Sequence, residues 1–264
     1  MKEKVQEHDT YPPNLDDDWH FDYDEYKANN YDDEEELYDE SYEESEEKDS
    51  IVRLPINSSK ENMKNKQCNY KTLSILTLYS ASNYNENTRY SYKNSLIKHK
   101  DEIENLSKIK LDTIFKHIKK ICKLDNELVT PVVGKDSIAY IIKYTGGENG
   151  SREYVVIEKD IIKFLIKNCS SEEIKTYIFL KYRCAFKKGE AMVTNNSICE
   201  NIGLSKKSHG NISKVTKMIN NLVEFNLIKK KTTTQIKICE GKEKCTYRNI
   251  YSMVSYEEFS GCEH

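Results

Sequence analysis

The chain has 264 residues, a net charge of −3 and a pI near 6.1, and is long enough for one large or two small domains, each with its own core. The balance conceals a division: residues 1–50 hold 4 basic and 21 acidic side chains, net −17, which leaves net +14 on the remainder. No stretch approaches the roughly eighteen apolar residues of a membrane span and no apolar leader follows Met1, so the reading is a cytoplasmic protein without a membrane partner, its eight cysteines reduced.

The acidic runs Asp16–Asp18, Asp32–Glu36 and Glu43–Glu47, with tyrosines scattered among them, show no apolar periodicity. Such a segment cannot bury enough surface to offset its ordering entropy, which predicts a disordered acidic tail, continued as a linker to residue 69. Order is expected from about Thr72, where Leu73, Leu76 and Tyr79 share a helical face, followed by a polar loop rich in Asn and Tyr. A second helix is expected over Ser95–Leu106, then a break over Ser107–Lys110. The third carries Leu111, Ile114, Ile118 and Ile121 at +3, +4, +3, one buried stripe ending near Asp125 and Asn126. Alternation in Ser137–Thr145, the glycines 146, 147 and 150, and Arg152–Ile157 predict a β-hairpin.

The pattern recurs. A short helix over Asp160–Lys167 leads to Ser171 as an N-cap and an amphipathic helix through Ala185 carrying Ile174, Tyr177, Ile178 and Leu180. Thr194 or Ser197 caps a brief helix that closes at Gly203. Ile212, Val215, Ile219 and Leu222 form the next stripe, which stops at Asn226, and Ile228–Cys239 and Arg248–Val254 read as two strands. Ile114, Ile118 and Ile121 match Val215, Ile219 and Leu222 at an offset of 101. A unit of three helices and a hairpin therefore occurs twice, a duplication and not a solenoid. The expected fold class is mainly α with small β-hairpin wings (α+β): 1–69 tail and linker, 70–158 first unit, 159–256 second unit, 257–264 a C-terminal tail.

The stretch from Thr194 to Lys231, with Ser197–Ser205 followed by Ile212 through Leu227, Ile228 and Lys229–Lys231, resembles a winged helix-turn-helix. That resemblance implies a recognition helix in the major groove and a basic hairpin along the neighbouring backbone. From the second unit the residues then facing double-stranded DNA are Ser205, Lys206, Lys207, Ser208, His209, Asn211, Ser213, Lys214 and Lys217, with Asn211 and Ser213 reading bases. Lys229, Lys230, Lys231, Lys237, Lys242, Lys244 and Arg248 belong to its wing. The first unit offers Lys108, Lys110, Thr113, Lys116, His117 and Lys120, with Lys143 and Arg152 on its wing. Glu102 and Glu104, close by, weaken that second set.

Two such units in tandem resemble the theta-type replication initiators of plasmids and similar mobile elements, and the helix Ile174–Tyr182 resembles the first helix of winged domains in Gram-positive initiators and primosomal proteins. The resemblance implies a bacterial protein that initiates or controls replication, grips successive major-groove segments, and forms a homodimer whose dissociation controls activity. A winged-helix transcriptional regulator is the first alternative, and a scaffold using its winged helices to contact protein is another. Residues 1–50 keep a basic body soluble, mimic nucleic acid, or recruit a basic replication or transcription factor.

No Walker motif, no paired His with a nearby Tyr and no Ser/His/Asp arrangement is present, so an enzyme is not expected. Cys239 and Cys245 lack the further ligands of a zinc site, and no cofactor or metal is expected. Cys122, Cys169, Cys184 and Cys199 are expected in helices as small apolar groups.

Overall fold

The computed structural model describes residues 50–56, 65, 68–82, 88–124, 128–134, 137–143, 154–187, 189–239 and 242–262. The tail expected over residues 1–49 lies outside the described residues. The rest is mixed α and β, with helices packed against three small antiparallel sheets.

The first strand, β1 (Ile51–Pro55), falls where a linker was expected. Its alternation places Val52 and Leu54 in the core, opposite Ile157 and Val155 of β6 (Tyr154–Glu158), whose apolar positions have the same parity. Two half-buried strands of matching period complete one another. The expected hairpin over 137–157 is corrected accordingly. β5 (Ile138–Lys143) pairs with β4 (Val129–Val133) and β3 (Thr88–Tyr92), while β6 leaves for β1. The loop expected after the first helix carries β3 and the two-residue β2 (Ala81–Ser82).

Helix α1 (Tyr70–Leu78) starts at an Asn69 cap that accepts from the Thr72 amide and buries Leu73, Ile75 and Leu76. The second expected helix is broken at His99 into α2 (Lys93–Lys98) and α3 (Lys100–Ser107). α4 (Leu111–Cys122) buries its predicted stripe completely but for Leu111, at 4% exposure. Its predicted stop at Asp125 and Asn126 lies outside the described residues.

α5 (Lys159–Asn168) leads to α6 (Ser171–Phe186). The cap of α6 is Ser170, one residue before the expected Ser171: Ser170 accepts from the Glu173 amide and donates its own amide to the Glu173 carboxylate, a capping box. After β7 (Glu190–Met192), which sequence periodicity is too short to reveal, α7 (Asn195–Asn201) begins at a Thr194 cap. α8 (His209–Glu224) is followed by β8 (Ile228–Cys239) and β9 (Lys242–Met253), a longer hairpin than predicted. The expected C-terminal tail instead includes α9 (Tyr256–Ser260), because Phe259 is buried edge-on against Phe164.

One order therefore occurs twice: α1, β3, α2 with α3, α4, β4, β5, then α6, β7, α7, α8, β8, β9. Apart from the two-residue β2 that adds to the edge of β3, the first strand in both pairs with the last and the last with the middle one, giving β2-β3-β5-β4 and β7-β9-β8. The two halves meet at the N-termini of their leading helices, where the Tyr70 amide donates to Ser171 Oγ at 2.9 Å. Lys175, 3% exposed, donates to the Asn65 carbonyl at 2.9 Å and lies over the Tyr70 ring. The described residues, 50 onward, form one unit with a continuous core. No helix among the described residues is long and apolar enough to cross a membrane.

Candidate nucleic-acid interface

α8 is held from three sides. Val215, Met218, Ile219 and Leu222 are buried, and each such side chain contributes about 1.5–3 kcal/mol of apolar burial. The Glu173 carboxylate, already engaged in the α6 capping box, also accepts from Asn221 Nδ2 at 2.7 Å. Asn195 Nδ2 donates to Thr216 Oγ1 at 2.9 Å. The helix stops at Asn226, which takes the predicted left-handed conformation (φ 51°), and the turn ahead of it passes through Gly203 at φ 83°.

These constraints leave the opposite side of α8 outward. Ser205, Lys206, Lys207, Ser208 and His209 of the turn are exposed, as are Ser213, Lys214 and Lys217 of the helix. Asn220 joins Ser213 and Lys217 on this exposed side, a residue that helical spacing alone could have found and the sequence reading missed. Not every expected contact is open. Lys206 pairs with Glu200 at 3.5 Å and Lys214 with Glu172 at 3.1 Å. Partial burial pushes the Glu172 carboxyl up, but the Lys214 ammonium outweighs it and leaves it below its ordinary value. Asn211, expected to read bases, donates Nδ2 to the Ser205 carbonyl at 3.0 Å and so braces the turn. Lys207 and Lys217 have no ion pair among the described residues. Although Ser208 occupies the N-cap, its side chain makes no capping bond, and the Asn211 amide donates instead to the Ser208 carbonyl at 3.0 Å.

The wing residues divide between faces. Pairing sets Lys230 opposite buried Tyr251, on the face that packs against the helices, and sets Lys229 opposite Ser252 and Lys231 opposite Ile250, on the reverse. Arg248 shares that reverse face, and its Nη1 donates to Met192 Sδ at 3.3 Å. Lys229 is bound by Glu258 of α9 at 2.7 Å. The side chains of Lys237, Lys242 and Lys244 lie outside the described residues, although the backbone register pairs Lys237 with Lys244.

The first half builds a different surface around α4. Lys116 and Lys120 are exposed, with Lys119, which the sequence reading left out, between them; Thr113 is half-buried. Lys108 is exposed in the left-handed conformation that ends α3. His117 is not on this outer side: its Nδ1 lies 3.3 Å from Asn69 Nδ2 and 3.2 Å from Thr72 Oγ1, tying α4 to the start of α1. Burial, then the Lys120 charge, lowers its pKa and favours the neutral ring that this contact needs. Lys143 is engaged within the sheet region, opposite Thr88, and Arg152 lies outside the described residues.

The start of α4 is occupied. Glu104 accepts from the Leu111 amide at 2.8 Å and pairs with Lys110 at 3.1 Å, so a carboxylate stands where a phosphate would approach a helix N-terminus. The Leu111 amide first, and then Lys110, holds the Glu104 carboxyl below its ordinary 4.5. A depressed carboxyl contributes stability above its unfolded pKa, and that contribution is lost as pH falls through the folded value. Replacing Glu104 with Gln should therefore lower the melting temperature at neutral pH, by the equivalent of roughly 1 kcal/mol. The difference from wild type should shrink as pH drops below about 4.5. Thermal melts across that range check it, and a pH-independent difference would assign Glu104 no such role.

Burial pushes the thiols of Cys68, Cys122 and Cys169 up to about 12, so they stay protonated as small apolar groups. Cys122, Cys184 and Cys199 lie in helices as expected, and Cys169 immediately follows α5. Comparison with protein-family models, curated proteins and solved structures finds no match to the chain.

Proposed function

We propose that the chain is a cytoplasmic protein that binds double-stranded DNA through two tandem winged helix-turn-helix units, with α8 as the principal recognition helix. The observation that carries this reading is the outward side of α8 and the turn before it: exposed Lys207, Ser213, Lys217 and Asn220 beside an N-cap whose side chain makes no capping bond. Cationic side chains and small polar groups on one helix and the turn before it match phosphate positioning together with base-edge contact. The twice-occurring order of elements, with the sheet ordered first, third, second, supports the winged-helix reading. The second unit leads, because in the first the corresponding helix start is filled by Glu104.

Control of replication of a plasmid or mobile element is the role we infer, since two recognition helices in one rigid chain suit adjacent segments of a repeated site. A transcriptional regulator would share the chemistry but select an inverted repeat as a symmetric dimer. Footprinting on tandem and inverted repeats separates the two.

DNA binding itself is tested by fluorescence anisotropy of labelled duplex titrated with full-length protein at several salt concentrations. Each lysine that neutralises a phosphate contributes about 0.9 to the slope of log affinity against log salt, so Lys207→Ala with Lys217→Ala should reduce it by about 1.8. Substituting Lys206 and Lys214, already paired with glutamates, should change it less. Absence of binding at low salt would sink the reading and leave a protein-contact scaffold in its place.

A further inference from the structure

The reverse face of the second sheet carries a basic cleft to which the outward side of α8 does not contribute, although Arg248 and Lys231 are also residues expected on the DNA-facing wing. Ala191 and Tyr251, paired across β7 and β9, point inward beneath α6 and are buried. Their neighbours Met192 and Ile250 are also paired and have the opposite parity, so they point away from the helical layer. Met192, the last residue of β7, is 44% exposed although it is paired with Ile250. Around this apolar floor lies an open cleft of about 450 Å³ rimmed by Arg183 and Lys187 from the end of α6, Arg248 from β9, and Glu190. Lys231, opposite Ile250, extends the basic rim.

Three features define what would fill it. Cations outnumber the one carboxylate, so the ligand is anionic. Arginine is scarce, 5 residues against 36 lysines, yet two of the five are here. Their planar forks match carboxylate oxygens in pairs, as ammonium groups do not. Among the described residues the partner of Arg248 is only the Met192 thioether, a weak acceptor that leaves most of its donors open. Third, the floor is apolar, and methionine adapts to varied side chains. A phosphate backbone would leave that floor uncovered, whereas a peptide with an apolar anchor between acidic residues covers it.

We infer that this cleft is a docking site for an acidic segment of a partner protein, its carboxylates on Arg183 and Arg248 and an apolar anchor on Met192 and Ile250. None of its lining residues belongs to the outward side of α8. Peptide and DNA can then be held together, so the protein recruits its partner to the DNA it occupies.

The test uses full-length protein and a labelled short peptide of Glu and Asp with one central Leu, followed by anisotropy. Arg183→Ala with Arg248→Ala should weaken peptide binding roughly tenfold, and Met192→Ser should weaken it several-fold at unchanged salt dependence. Arg183→Lys with Arg248→Lys, which keeps the charge and loses the forks, should fall between. Saturating duplex should not displace the peptide, and Lys207→Ala with Lys217→Ala should leave peptide affinity unchanged. The arginines are on the surface, and matching circular dichroism melts would establish that the variants fold. Failure of the peptide to bind, or binding indifferent to the arginines, overturns the proposal. Displacement by duplex, or a loss of duplex affinity in the arginine variant as large as that from the α8 lysines, overturns it in favour of a backbone contact. Peptide binding does not depend on DNA binding, so the two readings fail separately.

Discussion

Leu54→Ala is expected to destabilise the protein by about 2–5 kcal/mol, the cost of deleting a fully buried leucine and leaving a cavity. Leu54 is 0% exposed and sits opposite Val155, with Val52 opposite Ile157 beside it. The strand is tied at its start as well, where the Lys159 amide donates to the Ser50 carbonyl at 2.9 Å. Loss of Leu54 would therefore loosen β6 and the entry to α5 together. Urea unfolding followed by circular dichroism measures the effect, and Arg53→Ala is the control, since Arg53 points to the other face over the Tyr154 ring. A midpoint for Leu54→Ala equal to that of wild type would mean that residues 51–55 are a linker after all.

The second large effect is expected at Glu173. This carboxylate is 9% exposed and serves two acceptor roles, one oxygen to the Ser170 amide and the other to Asn221 Nδ2, both at 2.7 Å. Alanine removes half of the α6 capping box and leaves the Asn221 amide without its partner in a partly buried place. Together these cost about 2–4 kcal/mol. Gln keeps one acceptor oxygen but turns an NH2 group toward the other donor, so its loss should be intermediate. On the proposed DNA reading, the Ala variant should also weaken DNA binding without flattening the salt slope, because Asn221 lies on α8 and the helix that would present the lysines is less well held while the lysines themselves remain. A flattened slope would instead mean that Glu173 shapes the charge pattern directly.

Much of the outward side of α8 was legible because an amphipathic helix announces itself twice. The stripe of Val215, Ile219 and Leu222 says which side is buried, and so which side is not. Which lysines are already neutralised was not legible. Glu172 and Lys214 are 42 residues apart in sequence, and only the packing of α6 on α8 brings them to 3.1 Å. Asn211 and His117 look like groove-facing polar residues by helical position, yet one closes the turn and the other bonds to α1.

The sequence by itself determined the local elements whose signal lies within one segment: the α4 and α8 stripes, the turn at Gly203 and the stop at Asn226. Each follows from helical periodicity or from backbone conformations that particular residues favour. Only the tertiary structure decided which strands pair. A strand's alternation records that one face is buried but not against what, and β6 could read equally well as the partner of β5 or of β1. The same holds for β7, three residues long, and for α9, whose one buried aromatic has meaning only beside Phe164. The reverse-face cleft belongs to this second class: Arg183 and Arg248 are 65 positions apart in the chain, and their meeting beside Met192 follows from β7 pairing with β9.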